Sequence, residues 1–98
     1  MVKINWTDFA LENLNIIGDY IEKDSFIYAQ RVVNYLFDAV DILEQNPLAG
    51  RKAPEFNRAD IRELICGNYR IIYKIMSDTS IDILTVHHSA RLLSSLPD

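Results

Sequence analysis

Apolar and polar residues alternate at the start of the chain, where Lys3 and Asn5 separate Val2, Ile4 and Trp6. A period of two is that of a strand with one buried face. Beyond Trp6 the period changes. Ala10, Leu14, Ile17 and Ile21 recur every three to four residues, with Leu11 and Gly18 beside them, and draw one apolar stripe along a first helix. Thr7 or Asp8 can cap it by accepting a bond from a first-turn amide. EKDS interrupts the stripe, and Ser25 or Asp24 can cap a second helix over Phe26 to Gln45. Its inner side is Ala29, Val33, Leu36, Val40 and Leu43, widened by Val32 and Phe37, while Arg31, Asn34, Asp38, Asp41 and Glu44 stay outside. Asn46-Pro47 ends it, since proline disfavours helical geometry in the preceding residue. The short link makes the two helices an antiparallel hairpin.

PLAGRKAPEFNRAD then reads as a solvated loop, and three strand-like runs follow, IRELIC, YRIIYKIM and IDILTVHH. Gly67-Asn68 separates the first two and SDTS the last two; glycine accepts the positive φ of a two-residue hairpin turn. The runs form an antiparallel meander, and the chain is expected to be one α+β domain over residues 1–98. Turn lengths give a register: Met76 opposite Ile81, Tyr73 opposite Leu84, Arg70 opposite His87, Tyr69 opposite His88, and on the other side Cys66 opposite Tyr69, Leu64 opposite Ile71 and Glu63 opposite Ile72. Side chains alternate between faces. Leu64, Cys66, Tyr69, Ile71, Tyr73, Leu84, Val86 and His88 therefore face the helices. Glu63, Arg70, Ile72, Lys74, Ile83, Thr85 and His87 share the other face.

Composition narrows the class. The hydrophobic and charged fractions, 49% and 24%, are those of an ordinary folded chain. The lone Cys66 has no internal disulfide partner and no companion thiols for zinc, which fits a reducing compartment. No apolar run approaches the length that spans a bilayer, so a cytoplasmic protein with no membrane partner is expected. A net charge of −4 argues against general or sequence-specific nucleic-acid binding. The charge is uneven, however: residues 1–46 carry three basic against eight acidic side chains, whereas residues 47–98 carry seven against six. An anionic partner therefore belongs to the second half.

Taken in order, the helical hairpin ending in NPLAGR, then IREL, YRIIY and ILTVHHSAR, resembles the RelE/ParE superfamily of toxins from bacterial type II toxin-antitoxin modules, and the ParE branch most closely. The likeness covers nearly the whole chain. It implies two helices packed on an antiparallel sheet, an intracellular growth-arresting toxin and a cognate antitoxin as partner. ParE-like members poison DNA gyrase and have no known catalytic residues or cofactor; RelE-like and YoeB-like members cleave messenger RNA on the ribosome. For the second activity this chain can nominate Glu55, Arg70 and His88, which resemble the glutamate, arginine and histidine of YoeB-like nucleases. RNA cleavage needs such a base, cation and acid around the phosphate. Two departures favour the gyrase reading: Ser89 stands where those nucleases have tyrosine, and the many basic residues that dock RelE-like nucleases on ribosomal RNA are missing. A third reading is a non-toxic relic that keeps only its antitoxin-binding surface.

The same residues have structural readings. Arg70 can pair with Glu63, a diagonal cross-strand neighbour, and simply hold the sheet together. Tyr69 and Tyr73 read as core aromatics, His88 as a partly buried strand-end histidine and His87 as an exposed one; Cys66 has no base in reach. Arg51, Lys52 and Arg58 read as solvated loop cations. As a binding surface, the sheet face carrying Arg70, Ile72, Lys74, Ile83 and His87, with Arg62, suits an amphipathic partner segment. The C-terminal RLLSSLPD adds Arg91, Leu92 and Leu93, since the resemblance links that end of ParE-like toxins to gyrase poisoning. No metal site is expected.

Overall fold

Thr7 joins the first strand to the first helix and serves both. Its hydroxyl accepts a bond from the Ala10 amide at 3.1 Å, capping the helix, and donates to the Ile83 carbonyl at 2.7 Å. The computed structural model of the protein describes residues 1–89. β1 (Lys3–Trp6) leads into α1 (Asp8–Glu22) and α2 (Phe26–Ala39), then a 3₁₀ turn (Val40–Glu44), β2 (Arg51–Lys52), β3 (Ile61–Cys66), β4 (Tyr69–Ser77) and β5 (Ser80–His88). Ser25 caps α2 by accepting from the Tyr28 amide at 3.1 Å. The strands lie in the order β1-β5-β4-β3-β2. β1 runs parallel to β5 and the other pairs are antiparallel, so the meander becomes a five-stranded mixed sheet.

The second helix is α-helical only to Ala39, short of the expected Gln45. Tightening to 3₁₀ spacing stacks Val40 and Leu43, three residues apart, on one buried side. It also leaves the Glu44 carbonyl to accept from the Val2 amide at 3.0 Å. The hairpin packs on one sheet face, where Ala10, Leu14, Leu36, Val40 and Leu43 meet Ile71, Tyr73, Ile81, Ile83 and Val86. Trp6 stacks on Phe37 with centroids 5.2 Å apart, sealing the β1 side.

The expected register holds from Cys66↔Tyr69 to Glu63↔Ile72, and at Tyr69↔His88 and Arg70↔His87. It fails in the middle of β4 and β5. Tyr73 pairs with Ile83 rather than Leu84, and Ile75 rather than Met76 pairs with Ile81. Leu84 is an extra residue on β5 and Met76 an extra one on β4, so two irregularities of opposite sense cancel by Ser77↔Ser80. Asn13 of α1 braces the first: its Oδ1 accepts from the Thr85 hydroxyl at 2.7 Å and from the Val86 amide at 2.9 Å. Ile83 consequently faces the helices, fully buried, which corrects its expected place on the opposite face. Leu84 takes that opposite face instead, beside Ile72.

That second face is also not open. Ala53, Ile61 and Ile72 are fully buried there, with Phe56 and Leu84 packed against them. Part of the loop expected to be solvated folds across the sheet and covers it.

Candidate functional site

β3 and β4 place Glu63 and Arg70 on the face away from the helices. Glu63 pairs with Ile72 and Arg70 with Ile65, which makes the two charged residues diagonal neighbours. Glu63 Oε1 accepts from Arg70 Nε at 2.8 Å and also from Nη2. From the covering loop, Glu55 takes the outer edge of the same guanidinium, Oε2 accepting from Nη1 at 2.6 Å and Oε1 from Nη2 at 2.7 Å. Arg51 of β2 donates from Nε to the other Glu63 oxygen at 2.6 Å. The result is a row of alternating sign, Arg51, Glu63, Arg70, Glu55. Glu63 and Arg70 are buried, at 1% and 4% exposure, while Glu55 is 10% exposed and the Arg51 end is open to water. The Glu55 hydrogen bonds raise the Arg70 pKa above its ordinary value; burial opposes them and Glu63 adds to them.

The loop that delivers Glu55 is shaped by its own backbone. The Ala53 amide donates to the Ile61 carbonyl at 3.0 Å, and the Ala53 carbonyl accepts from Phe56 at 3.1 Å and Asn57 at 3.3 Å. Asn57 turns the chain at φ +49°, a left-handed conformation that asparagine tolerates better than most residues. Phe56 then packs into the cluster around Ile72 while Glu55 reaches Arg70. Arg62 fixes the loop from below, donating to the Ala59 carbonyl at 3.0 Å and the Gly50 carbonyl at 2.8 Å. Arg58 is held in an exposed pair with Asp60, and that hydrogen bond lowers the Asp60 pKa.

Residues 4–93 match the family model for the ParE toxin of type II toxin-antitoxin systems, parDE. The chain belongs to that family. Among similar proteins is a putative toxin, Y4kP, of Sinorhizobium fredii, 42% identical over 89 residues, covering 89% of this chain and 88% of that one. Toxin RelE2 of Caulobacter vibrioides is 36% identical over 92 residues, covering 94% of this chain and all of that one. Two solved structures share the fold. One is a chromosomal ParDE system from P. aeruginosa (TM-score 0.74, 22% identity, covering 90% of this chain and 96% of that one). The other is the RelBE2 toxin-antitoxin complex of Mycobacterium tuberculosis (TM-score 0.54, 24% identity, 89% and 96%).

The three residues this toxin could nominate for RNA cleavage are not brought together. Glu55 and Arg70 are in contact, as a bidentate ion pair in which Arg70 is buried and Glu55 partly so. His88 is exposed on the opposite sheet face, its ring edge-on to Tyr69 at 6.0 Å between centroids. His87, expected to be exposed, is buried beside Arg70 on the covered face. The two histidines lie on the faces that alternation assigned to them, with their exposures exchanged.

Of the residues expected to meet a partner, Ile72 and Arg70 are under the loop, Ile83 is in the helix-side core, and Arg62 is committed to loop carbonyls. Lys74 stands half-buried between Ile61 and Asp82 on the neighbouring strands. Arg91, Leu92 and Leu93 lie outside the described residues. Sequence reasoning missed Arg51 as a member of the charge row and Ala53 and Phe56 as its cover. Their one signal is a pair of apolar residues three apart inside a polar loop. Among the described residues no group of histidine, cysteine or acidic side chains is placed to hold a metal ion, and no helix is long and apolar enough to cross a membrane.

Proposed function

We propose that this toxin arrests growth by trapping DNA gyrase on cleaved DNA, without cutting RNA itself, and that a cognate antitoxin in the same cytoplasm holds it inactive. The observation that carries the proposal is the state of Arg70. An RNA-cleaving site needs its cation free to take the charge of the phosphate, and here both carboxylates of a buried row already occupy the guanidinium. Ser89 in place of the nuclease tyrosine and the acidic balance of the chain support the same reading. Family membership in a toxin-antitoxin class supports the antitoxin, as do the ParDE and RelBE2 systems that share the fold. Arg91, Leu92 and Leu93 are the proposed gyrase contacts.

Purified toxin added to gyrase is expected to inhibit supercoiling and raise the fraction of cleaved DNA, with antitoxin reversing both. Full supercoiling at a large molar excess of toxin overturns the proposal. Mapping transcript 5′ ends after induction separates the nuclease alternative, which predicts new cuts at codon positions. Unimpaired growth on induction, with antitoxin binding intact, would mark a non-toxic relic instead.

A further inference from the structure

The antiparallel ladder of β2 and β3 carries more positive charge than it balances. Arg51 stands opposite Glu63, and Lys52 opposite Arg62. The Ala53 amide donates to the Ile61 carbonyl, which makes Lys52 and Arg62 a non-hydrogen-bonded pair. Pairs of that kind hold their side chains closest, and like charges directly opposite each other repel. Arg62 donates to the Ala59 and Gly50 carbonyls, and Lys52 makes no ion pair among the described residues. The acid of the ladder, Glu63, is already shared with Arg70. Unbalanced positive charge is thus concentrated at one corner of a chain whose net charge is −4.

The cations also point where a partner can reach them. β2 is the outer strand of the sheet. Arg51 and Lys52 are exposed, and alternation sends their side chains to opposite faces of it. Between them the Lys52 amide points outward from the edge, as it must in a non-hydrogen-bonded pair. Arg51 is already aimed. The fully buried Glu63 carboxylate accepts from its Nε at 2.6 Å, while Nη1 and Nη2 donate to none of the described residues. A guanidinium held by Nε presents those two nitrogens as a fork that fits two phosphate oxygens.

We propose that the β2 edge binds the phosphate backbone of DNA without reading its sequence, with Arg51 and Lys52 on either side of the strand and the Lys52 amide between them. Arginine, lysine and backbone amides are the donors that position proteins on phosphates. A chain of regularly spaced charges lying along the edge meets all three. The naming of DNA rests on the gyrase reading: a toxin bound to gyrase is held beside the cleaved segment. Such tethering lets a contact too weak for the free, acidic chain take effect.

The test titrates the ¹⁵N-labelled full chain with a short DNA duplex at several low salt concentrations. The amides of Arg51, Lys52 and Ala53 are expected to shift in a saturable way, and affinity to fall as salt rises. Lys52→Gln, at an exposed position, should reduce the slope of log affinity against log salt by about one, the signature of one lost phosphate contact. Lys23→Gln removes the same charge from the exposed C-cap of α1 and should leave the slope unchanged. Equal changes in the two variants, or shifts that spare the β2 amides, overturn the proposal by reducing it to general attraction. A poly-glutamate peptide of matched charge that shifts the same amides with equal affinity also overturns it, since the occupant is then an acidic protein segment. With gyrase, Lys52→Gln should yield less cleaved DNA than the parent at equal toxin, while binding DNA-free gyrase equally well. Equal cleavage by the two overturns the proposal. A parent toxin that leaves supercoiling untouched overturns the gyrase reading alone, because the duplex titration reads the edge by itself.

Discussion

Arg70→Ala removes the cation that Glu55 and Glu63 share. Breaking a buried pair by deleting one partner typically costs about 3–5 kcal/mol, because the other charge stays buried without its counter-ion. Two features place this case at about 3 kcal/mol, the lower end of that range. Glu63 keeps Arg51, although that side chain is 69% exposed and screened by water, and Glu55 is already 10% exposed on a loop that can lift into solvent. Small domains are stable by roughly 5–15 kcal/mol in total, so the loss is a large fraction. With a urea slope of about 1–2 kcal/mol per M, the unfolding midpoint should fall by roughly 2 M. The assay is urea titration of purified variants followed by Trp6 fluorescence. A second variant, Arg70→Met with Glu55→Leu and Glu63→Met, replaces the charges by apolar side chains and should recover most of the lost stability. An Arg70→Ala midpoint within about 0.3 M of the parent, at an unchanged slope, would refute the argument that the row is structural. The experiment also guards the functional reading. Lost toxicity in Arg70→Ala is ambiguous by itself, whereas toxicity retained in the folded triple variant means that Arg70 performs no chemistry.

Tyr73→Phe deletes a buried hydroxyl that donates to the Pro47 carbonyl at 2.8 Å and accepts from the Gly50 amide at 3.0 Å. Leaving those groups unpaired should cost about 1–3 kcal/mol by urea titration, and an unchanged midpoint would mean the loop re-solvates both. Burial raises the pKa of the Cys66 thiol, and burial likewise raises that of the Tyr73 hydroxyl. Both neutral forms are favoured in the fold, so their contribution is fully present below the unfolded pKa values and is lost as pH rises through the folded ones. The urea midpoint should therefore decline on the alkaline side, and Cys66 should react with a thiol reagent at pH 8 only at the rate of unfolding. Rapid modification of the native protein contradicts the burial argument. Glu22→Gln removes an acid from the C-terminal end of α1 and should stabilise the isolated protein by about 0.3–1 kcal/mol, an effect that high salt should erase.

The helices, the strand order within the meander and the outer parts of its register are legible in the sequence because periodicity reports which side of an element is buried. Thr7 and Ser25 are legible as caps for a similar local reason: their hydroxyls reach amides three residues on. The NPLAGR stretch has a physical spelling too. Gly50 lies against the Glu63 carbonyl and the Tyr73 ring so closely that a Cβ would collide with both, which a lone glycine in a loop does not announce. The paired irregularities of β4 and β5 are illegible for a clear reason. Their extra residues, Met76 and Leu84, are apolar like the residues around them, so shifting the register by one exchanges Ile83 for Leu84 without violating the hydrophobic pattern.

The covering loop exposes a deeper limit of pattern reading. Alternation assigned His87 and Arg70 to one face and His88 to the other, as the structure has them, but whether a face is open depends on what the rest of the chain lays over it. Ala53 and Phe56 contribute little to any hydrophobic count, yet with Glu55 they close the face and bury Arg70. Glu55 and Arg70 resemble a nuclease pair in identity, and their bidentate contact ties the covering loop to the sheet. A carboxylate and a guanidinium can cleave a phosphodiester only while at least one is left for the substrate. Here the guanidinium spends its donors on two carboxylates of its own chain, and that contact is one of the loop's attachments to the sheet. A phosphate reaching Arg70 in this arrangement would have to displace Glu55 or Glu63 from it.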